Sequence, residues 1–533
     1  MNTTYDVLII GAGLSGMYQL KRMRDLGFTV HGFEAGSDVG GVWYWNRYPG
    51  ARFDSESYSY GYSWSKELLE EWEWSEHFAA QPETLRYCGY VADKFDLRRD
   101  FTFNCRIASA TWNEATRQWT LIAEDGTTAT GTWLVTCLGP LSEPTPPSFP
   151  GRESFKGDAF HTATWPHHPV SFTGKRVAVI GTGATGVQTI TEVAKTVGHL
   201  TVFQRTPNYC APLGNRPITP EEQQQIKVSY DQIFATCAVS TGSFIHNSDP
   251  RLALEVSAEE RETFWEKKYY EPGFGIWLGN FADIGTNAEA NVLASAYMRR
   301  KIRERVKDPK VAEKLVPKNH GFGTRRVPME SGYYEVYNQA NVELIDLHEE
   351  PILRIVPQGI QTSRRTIPID IIIYATGFDA VRGSFDRIRF EGAGGQLLKE
   401  AWADGPTTLL GLQTPGFPNM FTIVGPHNAA GFCNIPRCIE QNVDWVTEFM
   451  IHARERGTTR IEATVPAAED WTRHVYEMVD LTLIATTDSW FMGVNQNLPE
   501  KKRTFLAYAG GSPRYRKKCD AIAADGYRGF AQS

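Results

Sequence analysis

Apolar and polar positions follow two different periods along this chain. Residues Tyr5–Ile10, YDVLII, form a short and mostly apolar run that passes directly into the glycine turn GAGLSG. The same order returns at Lys175–Gly186, KRVAVIGTGATG. An apolar run of this length ending in a glycine turn predicts a buried parallel strand that enters a helix. Helical spacing follows each turn, through MYQLKRMRDLG to Gly27 and through VQTITEVAKTVG to Gly198. A further strand follows each helix, FTVHGFE and HLTVFQR. The expected fold class is therefore α/β, with two Rossmann-like dinucleotide-binding domains.

The proline-rich stretch Leu141–Gly151 has no period and reads as a crossing between domains. Residues 212–324 carry more Glu, Lys, Arg and Gln, with helical spacing in 257–271 and 296–315. They predict a helical insertion in the second domain. Apolar β-rich segments return at Asn341–Leu347 and Ile367–Tyr374, and no third glycine signature follows residue 380. The expected division is 1–141 for the first part of the first domain, 142–379 for the second domain, and 380–533 for the rest of the first.

Composition narrows the function classes. Hydrophobic residues make up 41% and charged residues 22%, a globular mixture that excludes a disordered chain. A net charge of −7 argues against a nucleic-acid partner. No apolar stretch is long enough to predict a transmembrane helix. Strand-like residues begin at Tyr5, which leaves no room for a signal peptide. The eight cysteines are sparse and contain no CxxC pair, so a disulfide framework is disfavoured and a cytoplasmic location is expected. The twelve histidines show no HExxH spacing, and no metal is expected.

Each glycine has its own task. Gly11 and Gly181 permit the strand-to-helix turn, Gly13 and Gly183 let a pyrophosphate approach the backbone, and Gly16 and Gly186 let helix and strand pack closely. The helix start offers free N–H groups to the anion. The two copies part company 23 residues beyond their first glycine. The first has Glu34 there, a carboxylate suited to ribose hydroxyls. The second has Gln204, followed by Arg205 and Thr206, which suit a 2′-phosphate. FAD fits the first site and NADPH the second.

Residues Phe155–Pro166, FKGDAFHTATWP, match the type I Baeyer–Villiger monooxygenase fingerprint, with Phe155, Gly157, His161, Trp165 and Pro166 in its fixed places. His167 stands where family members often have an acid. GGVWYWNRYPGARFD at 40–54 and GTRRVPMESGYYEVYN at 323–338 resemble further family segments, as does the C-terminal stretch from SWFMGVN to YRGF. The chain thus resembles the phenylacetone and cyclohexanone monooxygenase branch over nearly its whole length.

The resemblance implies that NADPH reduces FAD and that a C4a-peroxyflavin then attacks a ketone carbonyl. Rearrangement of the Criegee adduct gives an ester or lactone. O₂ and a small-molecule ketone are the implied reactants, with no membrane, nucleic acid or obligate protein partner expected. The resemblance makes Arg326 the fixed cation of the reaction and Asp54 the carboxylate that orients it. Arg325 falls near the 2′-phosphate, and Trp490 contacts the nicotinamide cofactor. Gly41, Trp43 and Tyr48 fall near the flavin. The fingerprint couples the two domains. Pro140, Leu141, Gly431 and Phe432 are candidate substrate-pocket residues. A flavin-containing monooxygenase acting on nitrogen or sulfur shares both glycine loops, but usually lacks the Trp-Pro ending. An NADPH-dependent disulfide reductase needs thiols close after the first glycine loop. Cys433 and Cys438 lie far from it and read as isolated thiols.

Overall fold

The computed structural model describes residues 3–428, 432–495, 497–498 and 501–533. The pocket candidate Gly431 lies outside the described residues. Two sheets organise the chain. In the first, Thr3–Ile10 lies between Val30–Phe33 and Thr128–Thr136, parallel to both. Its residues Val7, Leu8 and Ile9 are fully buried. Such a strand is covered on both faces, which is why its apolar run is continuous rather than alternating. Phe101–Thr102 continues the sheet on one side. On the other, Ile107–Asn113, Gln118–Ala123 and Thr128–Thr136 form an antiparallel meander. Arg389–Glu391 and Met420–Thr422 join this same sheet, so the chain beyond residue 380 returns to the sheet begun at its N-terminus.

The second sheet is wholly parallel. Its order in space is Val342–Asp346, His199–Gln204, Arg176–Ile180, Ile371–Tyr374 and Asp158–His161. The helix after its glycine loop covers Ala184–Val193 and stops short of the expected Gly198. Gly198 is pressed against the preceding turn, where a Cβ would lie 2.6 Å from the Gly174 carbonyl oxygen. The apolar run at 367–374 divides in two. Thr366–Pro368 joins a small antiparallel sheet, and only Ile371–Tyr374 enters the parallel one.

The insertion is helical, with helices at Pro220–Val239, Ala258–Tyr269, Gly275–Leu278, Ala288–Arg305 and Pro309–Leu315. The first starts at a capping box, Thr219 with Glu222, and places Pro220 where its missing N–H costs nothing. The periodic stretch 296–315 is two helices, because Asp308 caps a new start at Pro309.

A long amphipathic helix, Ile435–Arg456, carries Pro436 in its first turn and is capped by Gly457, whose φ of 67° lies in the left-handed region. It packs on Leu14–Asp25 through the Gln19–Thr447 and Tyr18–Asp444 hydrogen bonds, at 3.1 and 2.7 Å. The structure corrects one expectation at its start. Cys433 and Cys438 are a disulfide-bonded pair, Cα atoms 6.8 Å apart, rather than isolated thiols. The first turn of the helix carries Cys438 back over Cys433, a proximity that the intervening Pro436 permits because it sits in that first turn. Among the described residues no helix is long and apolar enough to cross a membrane.

Candidate active site

The first glycine loop is tightly enclosed. Gly11 has φ +105°, and a Cβ on it would lie 2.5 Å from the Cys137 carbonyl oxygen. A Cβ on Gly16 would fall 1.8 Å from the Gly11 carbonyl oxygen, so only hydrogen fits there. Gly13 faces Gly41, whose Cα would be 3.3 Å from an added Cβ. At the end of the next strand Glu34 is buried. Its Oε2 accepts the Ala12 N–H at 2.8 Å and its Oε1 accepts the Gly36 N–H at 2.7 Å. Each carboxylate oxygen keeps a lone pair for a hydroxyl donor.

The second loop opens onto a cavity of about 440 Å³, lined by Gly181, Gly183, Arg205, Thr206, Arg325 and Arg326 among others. Gly181 and Gly186 are as constrained as their counterparts, with added Cβ atoms 2.4 Å from the Ala375 carbonyl oxygen and 2.2 Å from that of Gly181. Gly183 differs, for nothing lies within 4 Å of a Cβ there. Gln204 turns inward, its Nε2 donating to the Lys314 carbonyl at 2.7 Å. Arg205 is thereby the first polar side chain beyond the strand to face the cavity. Its Nη1 donates to Asn497 Oδ1 at 3.2 Å. Arg325 Nε is buried with no partner among the described residues. Burial lowers the pKa of both guanidinium groups. An exposed Arg205 and a half-buried Arg325, neither in a salt bridge among the described residues although Asp488 lies near Arg325, form an anion site.

Arg326 and Asp54 meet although 272 residues separate them. Asp54 Oδ2 accepts from Arg326 Nη2 at 3.0 Å and from the Met329 N–H at 3.4 Å. Burial holds the Asp54 carboxyl above its ordinary range, and the Arg326 guanidinium offsets only part of that rise. The carboxylate side chain is 1% exposed and that of the arginine 34%, so the anion anchors from behind while the cation reaches the cavity. The neighbouring aromatics have other surroundings. Trp43 is buried, donates from Nε1 to the Tyr60 hydroxyl at 3.0 Å and packs on Phe53. Tyr48 donates to Gln188 Oε1 at 2.8 Å, on the helix of the second glycine loop. Burial carries the Tyr48 phenol up to about 12.

The fingerprint forms the edge strand Asp158–His161 and the turn after it. Gly157 is required by contact, because a Cβ would lie 2.2 Å from the Asp370 carbonyl oxygen. Phe155 packs against the isoleucine cluster of the second sheet. Trp165 is buried beside Phe160, with Pro166 after it, and the His167 ring lies 5.2 Å from Tyr44 of the first domain. His161 Nδ1 accepts the Ala163 N–H at 3.1 Å, which places the ring proton on Nε2. Nε2 then donates to Thr376 Oγ1 at 3.0 Å, and Thr376 Oγ1 donates to the Thr145 carbonyl at 3.0 Å. Burial holds the His161 pKa below its ordinary value, so the ring is neutral at pH 7. The fingerprint histidine thus ties together both stretches of chain that cross between the sheets.

Of the pocket candidates, Leu141 lines the cavity, as does Trp490, expected at the nicotinamide cofactor. The Pro140 carbonyl accepts the Val381 N–H at 2.7 Å, and the Phe432 ring lies 4.2 Å from that of Phe491. Sequence reasoning missed Asn495 and Asn497. Asn495 Nδ2 donates to Thr145 Oγ1 at 2.8 Å, and Asn497 Nδ2 donates to the Thr376 carbonyl at 3.2 Å. Their only signal was their place, Asn495 closing SWFMGVN and Asn497 just beyond it, and an isolated asparagine in a loop has no period to betray it. Among the described residues no group of His, Cys, Asp and Glu could hold a metal.

The comparisons with known proteins agree with this geometry. A model of the flavin-binding monooxygenase-like family matches residues 4–211. The 2-oxo-Delta(3)-4,5,5-trimethylcyclopentenylacetyl-CoA monooxygenase of Pseudomonas putida is 46% identical, over 98% of this chain and 98% of its own. A Baeyer–Villiger monooxygenase of Pseudooceanicola batsensis is 41% identical, over 98% of this chain and 95% of its own. A crystal structure described as OTEMO in complex with FAD and NADP superimposes with a TM-score of 0.97, at 45% identity and over all of both chains. With full-length likeness at this level, and with the fingerprint, both glycine loops and the arginine segment in place, the chain belongs to the Baeyer–Villiger monooxygenase family.

Proposed function

We propose that this protein is an FAD- and NADPH-dependent monooxygenase that inserts one oxygen atom from O₂ beside a ketone carbonyl, giving an ester or lactone. Its Pseudomonas putida relative is named for a 2-oxo compound, and the superimposed structure holds FAD and NADP. The observation that carries the reading is the Asp54-anchored Arg326 at the wall of the cavity beside the second glycine loop.

The residues present fit both cofactors. The enclosed first loop and the free lone pairs of Glu34 suit FAD, with the Gly41–Trp43 turn over the loop. The open Gly183, with Arg205, Thr206 and Arg325, whose Nε has no partner among the described residues, suits NADPH. Trp490 and Leu141 complete the same wall. When bound, the reduced flavin supplies activated dioxygen and NADPH supplies the hydride. Arg326 does the remaining electrostatic work. Its guanidinium faces the negative charge that develops on the ketone oxygen. Asp54 keeps that cation in one place. His161 and Thr376 hold the two crossings together while the halves move between hydride transfer and oxygenation. Residues 1–141 with 380–533 form the FAD half in this reading, and 142–379 the NADP half.

The test is NADPH consumption by the FAD-loaded protein with a ketone panel under ¹⁸O₂, with mass analysis of products. Ester or lactone carrying one labelled oxygen is expected. Labelled S-oxide or N-oxide with every ketone untouched would replace this reading with heteroatom oxygenation. Arg326→Ala is expected to bind FAD normally and to lose about 10²- to 10³-fold in ester formation. Normal ester yield from that variant would remove Arg326 from the chemistry.

A further inference from the structure

Two residues beyond Asp54, Glu56 meets a histidine from the helical insertion. His246 Nε2 lies 2.7 Å from Glu56 Oε1, and His246 Nδ1 lies 3.4 Å from Glu271 Oε1. The Glu56 and His246 side chains are 4% and 7% exposed. The second oxygen of Glu56 has no hydrogen-bond partner among the described residues. His246 therefore compensates a carboxylate that has little other support. The backbone is shaped around this contact. Gly273 has φ +71°, and a Cβ there would lie 2.5 Å from Glu56 Oε1 and 3.1 Å from His246 Nε2.

The contact joins the same two bodies as the Arg326–Asp54 pair. Glu56 and Asp54 sit on one segment of the first domain. His246 belongs to the insertion, and the chain leaving the insertion leads straight into Arg325 and Arg326. Two polar ties thus bridge one interface, two residues apart on one side. The segment is held at its other positions as well. Ser57 Oγ donates to the Glu76 carbonyl at 2.7 Å, and the Ser59 carbonyl accepts from Asn434 Nδ2 at 3.0 Å.

We propose that His246 is a positioning residue for oxygenation: by bridging Glu56 and Glu271 it locks the segment that carries Asp54 to the insertion, and so fixes where Arg326 points. The proposal rests on the reading of Arg326 and Asp54 given above. The charges around the bridge support it. Lys268 pairs with Glu271 at 2.9 Å, so a protonated His246 makes the cluster neutral, with two carboxylates and two cations. Tyr58, His77 and Cys237 are the further titratable groups that feel Glu56. Loss of the histidine charge would leave Glu56 buried and uncompensated.

Burial opposes the charge on His246, but the bonds to Glu271 and Glu56 win and carry its pKa up to about 9. The sign follows from a raised folded-state value. The bridge is fully present below the ordinary histidine pKa and is lost as pH rises through about 9.

The experiment measures ester formed per NADPH consumed by FAD-loaded, full-length protein from neutral to alkaline pH. His246→Gln, Glu271→Gln and Arg326→Ala are compared with the parent chain. His246→Gln is expected to keep its FAD content and NADPH KM, yet lose about tenfold in ester per NADPH, with hydrogen peroxide making up the difference. The parent's alkaline fall in coupling should vanish from this variant, and Glu271→Gln should move that fall to lower pH. Unchanged coupling and an unchanged alkaline limb in His246→Gln would overturn the proposal. So would a proportional loss of FAD, stability and every activity in both bridge variants, because that marks a general structural role. If Arg326→Ala stays coupled, the parent reading fails. If Arg326→Ala is uncoupled and His246→Gln is not, only the positioning role fails.

Discussion

The two glycine loops share a sequence pattern and a backbone path, yet they end in opposite surroundings. The first is closed over by Gly41, and its terminal carboxylate, Glu34, is held by two backbone N–H groups. The second opens on a cavity, and the matching side chain, Gln204, turns away and leaves Arg205 at the wall. In the proposed function, the enclosed loop keeps its nucleotide and the open one exchanges it. That division suits a relay in which the flavin stays and the nicotinamide arrives and leaves. Specificity here comes less from the glycines than from what lies across from them.

Four substitutions test this contrast, beginning with the largest effect. Gly16→Ala drives a Cβ to 1.8 Å from the Gly11 carbonyl oxygen, where no side chain can yield. It is expected to abolish FAD incorporation, read by flavin absorbance of the purified protein. Gly183→Ala meets nothing within 4 Å and should fold with a normal flavin content, raising only the NADPH KM. Equal loss of flavin in both variants would erase the distinction between closed and open loops. Next, Arg205→Ala removes one of two cations from the anion site. The NADPH KM should rise about 10- to 100-fold, as expected for a charged hydrogen bond worth about 1.5–3 kcal/mol, with NADH hardly affected. An unchanged NADPH-to-NADH ratio would place the 2′-phosphate elsewhere. The smallest effect belongs to Glu34→Gln. The amide still accepts one backbone N–H but presents a donor to the other, and FAD affinity is expected to fall about tenfold by the same energetic scale. Flavin release during dilution or gel filtration measures it, and undiminished retention would show that the backbone contacts carry the site alone.

Much of this architecture was legible in the residues. Continuous apolar runs such as Val7–Ile9 and Val177–Ile180 announce doubly covered parallel strands, because such a strand has no polar face to present. The glycines at 11, 16, 181 and 186 were legible for a related reason, since each clashes with backbone if given a side chain. Gly157 belongs with them, although its cause, the Asp370 carbonyl, came only with the structure. Boundaries were less visible. The helix end at Val193 and the division of 367–374 depend on turns whose partners lie elsewhere in the chain. The Cys433–Cys438 pairing escaped because a spacing of five residues says nothing until the helix start is fixed.

By itself, the sequence determined what is local: strand, turn and helix at each glycine loop, the charge that follows each, and the fingerprint residues. Tertiary structure alone decided which distant groups meet. Arg326 meets Asp54 from 272 residues away, and Glu56 meets His246 from a distant helical stretch. Periodicity encodes a residue's own face and its neighbours within a turn or two. A contact between segments hundreds of residues apart is set by how two sheets and an insertion come together, and the side chains that meet there carry no pattern of their own.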